Sequence, residues 1–180
     1  MSIRSSLLKA GMIGIVGVLI ILAISQISII SCSKSTEPKD IARGQLVSSS
    51  GCLEFVSADK GSFAPACCSC FEYEYDGLST LNLSHIGACY NCCSDVGGEV
   101  SVDGNVITIE ENETGDMCHC LCLYQVDYKV ENLPPGEYTI KFVELCMSDE
   151  DEALELTVNL ETDPTGEKCI ERNHYPWDEN

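Results

Sequence analysis

Positive charge is scarce in this chain. Of its 180 residues 10 are Lys or Arg and 29 are Asp or Glu, a formal net charge of −19 at pH 7. All 29 acids, but only 8 of the bases, lie after position 31. That part of the chain repels phosphate backbones and anionic head groups, which excludes nucleic acid as a partner. The motifs of familiar catalysis are missing as well: there is no Gly-x-Ser-x-Gly, no His-Glu-x-x-His and no phosphate loop. Neither an enzyme nor a cofactor is expected. The acidic run Ser148-Asp149-Glu150-Asp151-Glu152 lacks the alternating Asp-x-Asp-x-Asp-Gly spacing of a calcium loop and reads as a solvated turn. No fixed-period repeat and no low-complexity block occurs, and nothing after position 33 has a convincing helical period, which points away from helical folds.

Cysteine, by contrast, is abundant, with 13 in the chain and only Cys32 upstream of position 52. Arg4 and Lys9 precede an uncharged apolar stretch, positions 10–33, that ends in Ile29-Ile30-Ser31-Cys32. A positive start, an apolar segment and a small residue before a cut site make an export signal. Cysteine directly after the small residue resembles a bacterial lipobox, which implies that Cys32 takes the lipid and begins the mature chain. A second reading stays open. The stretch is longer than the about 7–15 residues of a secretory core and nearer the roughly 20 that span a bilayer. Gly11, Gly14 and Gly17 would share one helical face, while Ser25, Gln26 and Ser28 give the polar approach of a cleavage site. Both readings place the rest outside the cytoplasm on a membrane, as an outer-membrane or cell-surface lipoprotein or behind an uncleaved helix. The organisation that follows is a signal peptide or anchor helix over 1–31, a polar tether over 32–45 and a Cys-rich domain over 46–180.

The domain reads as strands. From Cys118 to Val130 the even positions are Cys118, Cys120, Cys122, Tyr124, Val126, Tyr128 and Val130, alternating with His119, Leu121, Leu123, Gln125, Asp127 and Lys129. Such alternation predicts a strand with its even face buried. Asn132-Leu133-Pro134-Pro135-Gly136 ends it, because proline cannot donate to a ladder, and Tyr138, Ile140 and Phe142 predict an antiparallel return. Leu154, Leu156, Val158 and Leu160 alternate again. Asp103-Gly104-Asn105 predicts a hairpin between Glu99–Val102 and Val106–Glu110. Phe71, Tyr73 and Tyr75, then Leu81, Leu83 and His85, and less regularly Leu46 to Phe55, complete about seven or eight strands. The expected fold is all-β, an antiparallel sandwich, with a closed barrel as its rival.

The segment Leu133-Pro134-Pro135-Gly136-Glu137-Tyr138-Thr139-Ile140-Lys141 resembles the Leu-Pro-x-Gly-x-Tyr-x-Ile strand turn of transthyretin-like and carboxypeptidase-regulatory-like sandwiches of Ig type. A longer series is similar to small uncharacterised bacterial lipoproteins and secreted proteins. It comprises Ser84-His85, Asn91-Cys92-Cys93, Cys118-His119-Cys120-Leu121-Cys122, the Pro-Pro-Gly turn and Arg172-Asn173-His174-Tyr175-Pro176-Trp177. The resemblance implies fold and location and carries no activity.

Twelve cysteines remain after Cys32: Cys52, Cys67, Cys68, Cys70, Cys89, Cys92, Cys93, Cys118, Cys120, Cys122, Cys146 and Cys169. Outside the cytoplasm all twelve are expected in disulfides. Alternate residues of a flat strand sit about 6.6–6.8 Å apart, whereas disulfides prefer about 5.5–6 Å. Cys118, Cys120 and Cys122 therefore need partners elsewhere, at least one of them Cys92 or Cys93. The rival is a Zn or Cu site drawn from His85, Cys92, Cys93, Cys118, His119, Cys120 and Cys122, since thiolates and imidazole suit those ions. Against it, His119 points away from its neighbours on a strand. His85 shares its face with Leu81 and Leu83 and reads as a hydrogen-bonded core histidine. His174-Tyr175-Pro176-Trp177 either packs the C-terminal tail or forms a carbohydrate platform. The function expected is a membrane-tethered, non-enzymatic binding or structural module with a protein or glycan ligand; the alternative is an extracytoplasmic metal-binding protein.

Overall fold

The alternating segments are strands. A computed structural model describes residues 41–53 and 67–177. The signal or anchor segment, Cys32 and the tether up to position 40 lie outside the described residues, as does Phe55. No helix among the described residues is long and apolar enough to cross a membrane. The described strands are β1 (Arg43–Ser49), β2 (Cys68–Tyr75), β3 (Leu81–Asn91), β4 (Ser94–Asp103), β5 (Val106–Gly115), β6 (Leu121–Glu131), β7 (Glu137–Val143), β8 (Glu155–Asn159) and β9 (Thr165–Glu171). They form a five-stranded sheet in the order β1-β6-β3-β2-β9 and a four-stranded sheet in the order β4-β5-β7-β8.

Alternation fixes which side chains meet. Phe71, Tyr73 and Tyr75 of β2, Leu81 and Leu83 of β3, and Tyr124, Val126, Tyr128 and Val130 of β6 join Ile107, Ile109, Ile140 and Phe142 of the second sheet in one buried cluster. Phe142 is its centre, with ring centroids 5.1 Å from Phe71, 4.8 Å from His85 and 6.1 Å from Tyr128. Burying an aromatic or branched side chain stabilises by about 1.5–3 kcal/mol, so this cluster supplies most of the drive to fold.

Three expectations need correction. The fold is not purely antiparallel: β7 does not return along β6 but crosses to the other sheet, where it runs parallel to β5, with Ile107 opposite Ile140 and Ile109 opposite Phe142. The turn explains this. Leu133 is fully buried and its N–H donates to Ser79 O, while Pro134 and Pro135 offer no donor for a tight hairpin. Second, there are nine strands among the described residues rather than seven or eight, because β9 is an edge strand with only Ile170 buried and hence almost no alternation. Third, β1 starts at Arg43, inside the stretch read as tether, and pairs with β6 from Arg43 opposite Glu131. Gly44 of β1 lies so close to Val100 of β4 that any side chain there would overlap it.

The hairpin at Asp103-Gly104-Asn105 is present, with Gly104 at φ 60°. On β3 the register against β6 shifts between Ile86 and Ala88, around Gly87 at φ 88°. This bulge reverses parity: Leu81, Leu83 and His85 are buried before it, Ala88 and Tyr90 after it. Cys89 and Leu123, paired across the sheet, then form a second cluster with Trp177. A Cβ at Gly87 would sit 2.6 Å from the Cys68 carbonyl oxygen. Gly87→Ala should therefore lower stability in urea unfolding by at least about 1–3 kcal/mol, combining a disfavoured φ with that overlap. An unchanged midpoint would contradict the bulge.

Candidate functional site

Ten cysteines close five disulfides: Cys52–Cys122, Cys70–Cys169, Cys89–Cys146, Cys92–Cys120 and Cys93–Cys118. None of Cys118, Cys120 and Cys122 bonds another of the three: Cys122 reaches Cys52, while Cys118 and Cys120 reach the adjacent Cys93 and Cys92, one segment and not two. The strand that was to carry all three begins only at Leu121, because the polar groups of Asn91 replace the ladder there. Asn91 Nδ2 donates to Cys118 O at 2.6 Å, and Asn91 Oδ1 accepts from the N–H groups of Cys93 (3.0 Å) and Cys118 (3.1 Å). Asn91 thus holds the backbones of Cys93 and Cys118 together at their bridge. Cys118 and Cys120 accordingly leave the buried face: Cys118 is half-buried and Cys120 exposed.

Cys67 and Cys68, expected in disulfides, are unpaired. Every other described cysteine is already bonded, and these two have only each other within reach, with sulfurs 3.2 Å apart. The metal set is not assembled either. Cys92, Cys93, Cys118, Cys120 and Cys122 are consumed as disulfides, His119 is exposed and His85 is committed to other partners.

Those partners form a charged chain across the core. His85 on β3 has Nδ1 2.5 Å from Glu111 Oε1 on β5 and Nε2 2.8 Å from Ser69 Oγ on β2. Ser69 Oγ donates to Glu144 Oε1 at 2.6 Å, and the other Glu144 oxygen accepts from Arg172. Arg172 also donates to Glu152 O at 2.7 Å, and Tyr128 OH donates to Glu111 Oε1 at 3.4 Å. Ser69 and His85 are 0% exposed, and Glu111, Glu144 and Arg172 are buried. Because the only proton of Ser69 goes to Glu144, the Nε2–H of His85 donates to Ser69; with Glu111 as the carboxylate, the Nδ1–H of His85 donates to Glu111. His85 is then an imidazolium, and two acids balance two bases. Burial is the largest single influence and opposes that charge, but the charge and hydrogen bond of Glu111 together with the charge of Glu144 outweigh it and hold the imidazole above its usual value. The same burial, with Glu111 nearby, pushes the Tyr128 phenol up.

Serine, histidine and carboxylate stand here in the order of a hydrolytic triad, yet the polarity is reversed. His85 donates to Ser69 instead of accepting its proton, so the hydroxyl is not activated. Of these residues only His85 was singled out from sequence. The signal for the others was parity: Glu111 follows Ile107 and Ile109 on one face, and Ser69 precedes Phe71, Tyr73 and Tyr75.

The C-terminal residues pack rather than present a platform. Trp177 is 2% exposed and its Nε1–H donates to Gly87 O at 3.0 Å, so neither indole face is free to stack on a sugar. His174 stacks edge-on against it and contacts Asp151 Oδ2 at 3.0 Å. Asp151 also accepts from the Ser148 N–H, which lowers its carboxyl below the usual range and fixes the acidic run as a turn.

Breaking the chain leaves a buried charge unpaired, so Glu144→Gln should cost about 3–5 kcal/mol in urea unfolding; a loss below about 1 kcal/mol would contradict the charged assignment. The pH profile follows from the raised His85 value. Its contribution is complete below the unfolded value of about 6.5 and is lost as pH rises through the higher folded one. Stability should decline as pH rises from about 6.5 to the raised folded value and level off beyond it, and His85→Gln should abolish this component. Comparison with protein-family models, with curated proteins and with solved structures finds no match, so the functional reading rests on this geometry alone.

Proposed function

We propose that the chain is a membrane-tethered extracytoplasmic module: a non-enzymatic β-sandwich of Ig or transthyretin-like type that serves as a surface binding or structural element. The observation that carries this reading is the closure of ten cysteines into five disulfides. Such bonds form and persist in oxidising compartments, and their number is typical of extracytoplasmic proteins. The sandwich reading draws support from the aromatic contacts of Phe142 between the two sheets and from the Pro-Pro-Gly turn that sends β7 across. The absence of enzymatic activity is supported by the sealed, unactivated Ser69. The outer side of the five-stranded sheet carries a shallow depression lined by Glu72, Glu74, Asp127 and Glu167. A partner there is a neutral or cationic protein surface or a glycan, not a polyanion.

One observation keeps a metal-binding reading in view. The sulfurs of Cys52, Cys92 and Cys122 lie within 4.8 Å of one another, so a reduced protein would offer three thiolates to Zn or Cu. The two readings part under reagents. The disulfides span 25 to 99 residues, and loops of that size contribute about 3–5 kcal/mol each, against a whole-domain stability of about 5–15 kcal/mol. Reductant should therefore unfold the protein while EDTA leaves its melting unchanged; the opposite pattern favours the metal protein. For the tether, Cys32→Ala should abolish lipid attachment and release or mis-process the chain. Unchanged membrane retention with an intact N-terminus by mass spectrometry would instead support an uncleaved helix.

A further inference from the structure

Cys67 and Cys68 are neighbours in sequence, their sulfurs stand 3.2 Å apart, and they are the two unpaired cysteines among the described residues. The geometry points to this pair as a reversible redox-modification site, a dithiol that closes into a vicinal disulfide by exchange with a small-molecule or protein disulfide. This rests on the extracytoplasmic reading only for the supply of oxidant.

The backbone holds the pair in place. The Arg172 N–H donates to Cys67 O at 2.8 Å, Cys68 is paired with Glu171 on β9, and the bare Cα of Gly87 packs against the Cys68 carbonyl. Access is graded: Cys67 is exposed, whereas Cys68 is only 8% exposed. The order of events follows. The Cys67 thiolate attacks the incoming disulfide, whose S–S bond breaks and expels one thiolate. Cys68 then gives its proton to solvent and attacks the Cys67 sulfur, expelling the second thiolate. The pair loses two electrons, the oxidant becomes two thiols, and a Cys67–Cys68 bond remains. Burial pushes the Cys68 thiol up to about 12, with the hydrogen bond and charge of Cys67 adding to it. Both Cys67 contributions disappear once its sulfur is in the mixed disulfide, so Cys68 ionises more readily at the second step than at the first.

This bond differs in kind from the five others. They close loops of 25 to 99 residues and so restrict the unfolded chain. A bridge between neighbours closes almost no loop, gains nothing from that source, and sits beside solvent. Bonds of that description are the readily reduced ones. The site would cycle while the staples stay closed.

The test uses the full-length protein in detergent, equilibrated across ratios of reduced to oxidised glutathione, acid-quenched, alkylated with maleimide in denaturant and mapped by mass spectrometry. The expected result is two maleimides, on Cys67 and Cys68, at the reducing end. At the oxidising end there should be none, with no glutathione retained and the five other disulfides intact throughout. Cys68→Ser should instead keep one glutathione on Cys67, because nothing can expel it; Cys67→Ser, with only the shielded thiol, should take up none. Both thiols still alkylated at the oxidising end would overturn the proposal. So would glutathione retained on wild-type Cys67, or Cys67 joined to Cys32. The wild-type measurement decides even if a variant fails to fold. A vicinal bond formed by glutathione in vitro in a chain shown to be cytoplasmic would count against the extracytoplasmic reading and not against this site.

Discussion

Glu111, His85, Ser69, Glu144 and Arg172 form a row of donors and acceptors that bridges the two sheets, and its direction fixes its charge. Ionised groups taken out of water each cost several kcal/mol unless they are paired with good geometry. Here two acids face two bases in strict alternation around one hydroxyl, so the row is neutral overall and nearly every proton has a destination. Two atoms, Glu111 Oε2 and Arg172 Nε, have no protein partner, and each such orphan costs about 1–3 kcal/mol. An apolar core of the same volume would therefore be at least as stable. What the row supplies is selectivity: β2, β3, β5 and the segments leaving β7 and β9 can meet in only one register if every charge is to be matched.

The sulfur bonds reinforce the same junction. Glu144 and Cys146 leave β7 together, one entering the charged row and the other bonding Cys89 on β3. Arg172 follows β9, which Cys70–Cys169 fastens to β2. The segments that deliver buried charges are thus cross-linked close to where they deliver them. The remaining three disulfides gather where β3 ends and β6 begins, around Asn91, where the strands run out of ladder and covalent bonds continue the connection.

Much of the sheet structure was legible because one face of most strands is buried. Alternation of Phe71, Tyr73 and Tyr75 or of Val126, Tyr128 and Val130 has no other simple cause. Legibility failed where burial is one-sided in a different sense. β9 is an edge with a single buried side chain, and β7 changes sheets, which parity cannot report since an inward face looks the same from either layer. The cysteine strand was read too long because Cys118 and Cys120 continue its parity while Asn91 takes its hydrogen bonds. Glu111 was hidden among Glu110, Asn112 and Glu113, a run that resembles a solvated face, and Arg172 sits beyond the last strand. A buried ion pair between elements this far apart in sequence leaves no local spacing to find.

The ionisation of His85 is the claim on which this account stands. Nitrogen NMR of the histidine side chains at neutral pH measures it directly in the intact protein. His85 should show both ring nitrogens protonated, with exchange-protected protons on Nδ1 and Nε2, at a pH where an ordinary histidine is largely neutral. A single neutral tautomer with a bare ring nitrogen would contradict the charged row and, with it, the reversed polarity of Ser69.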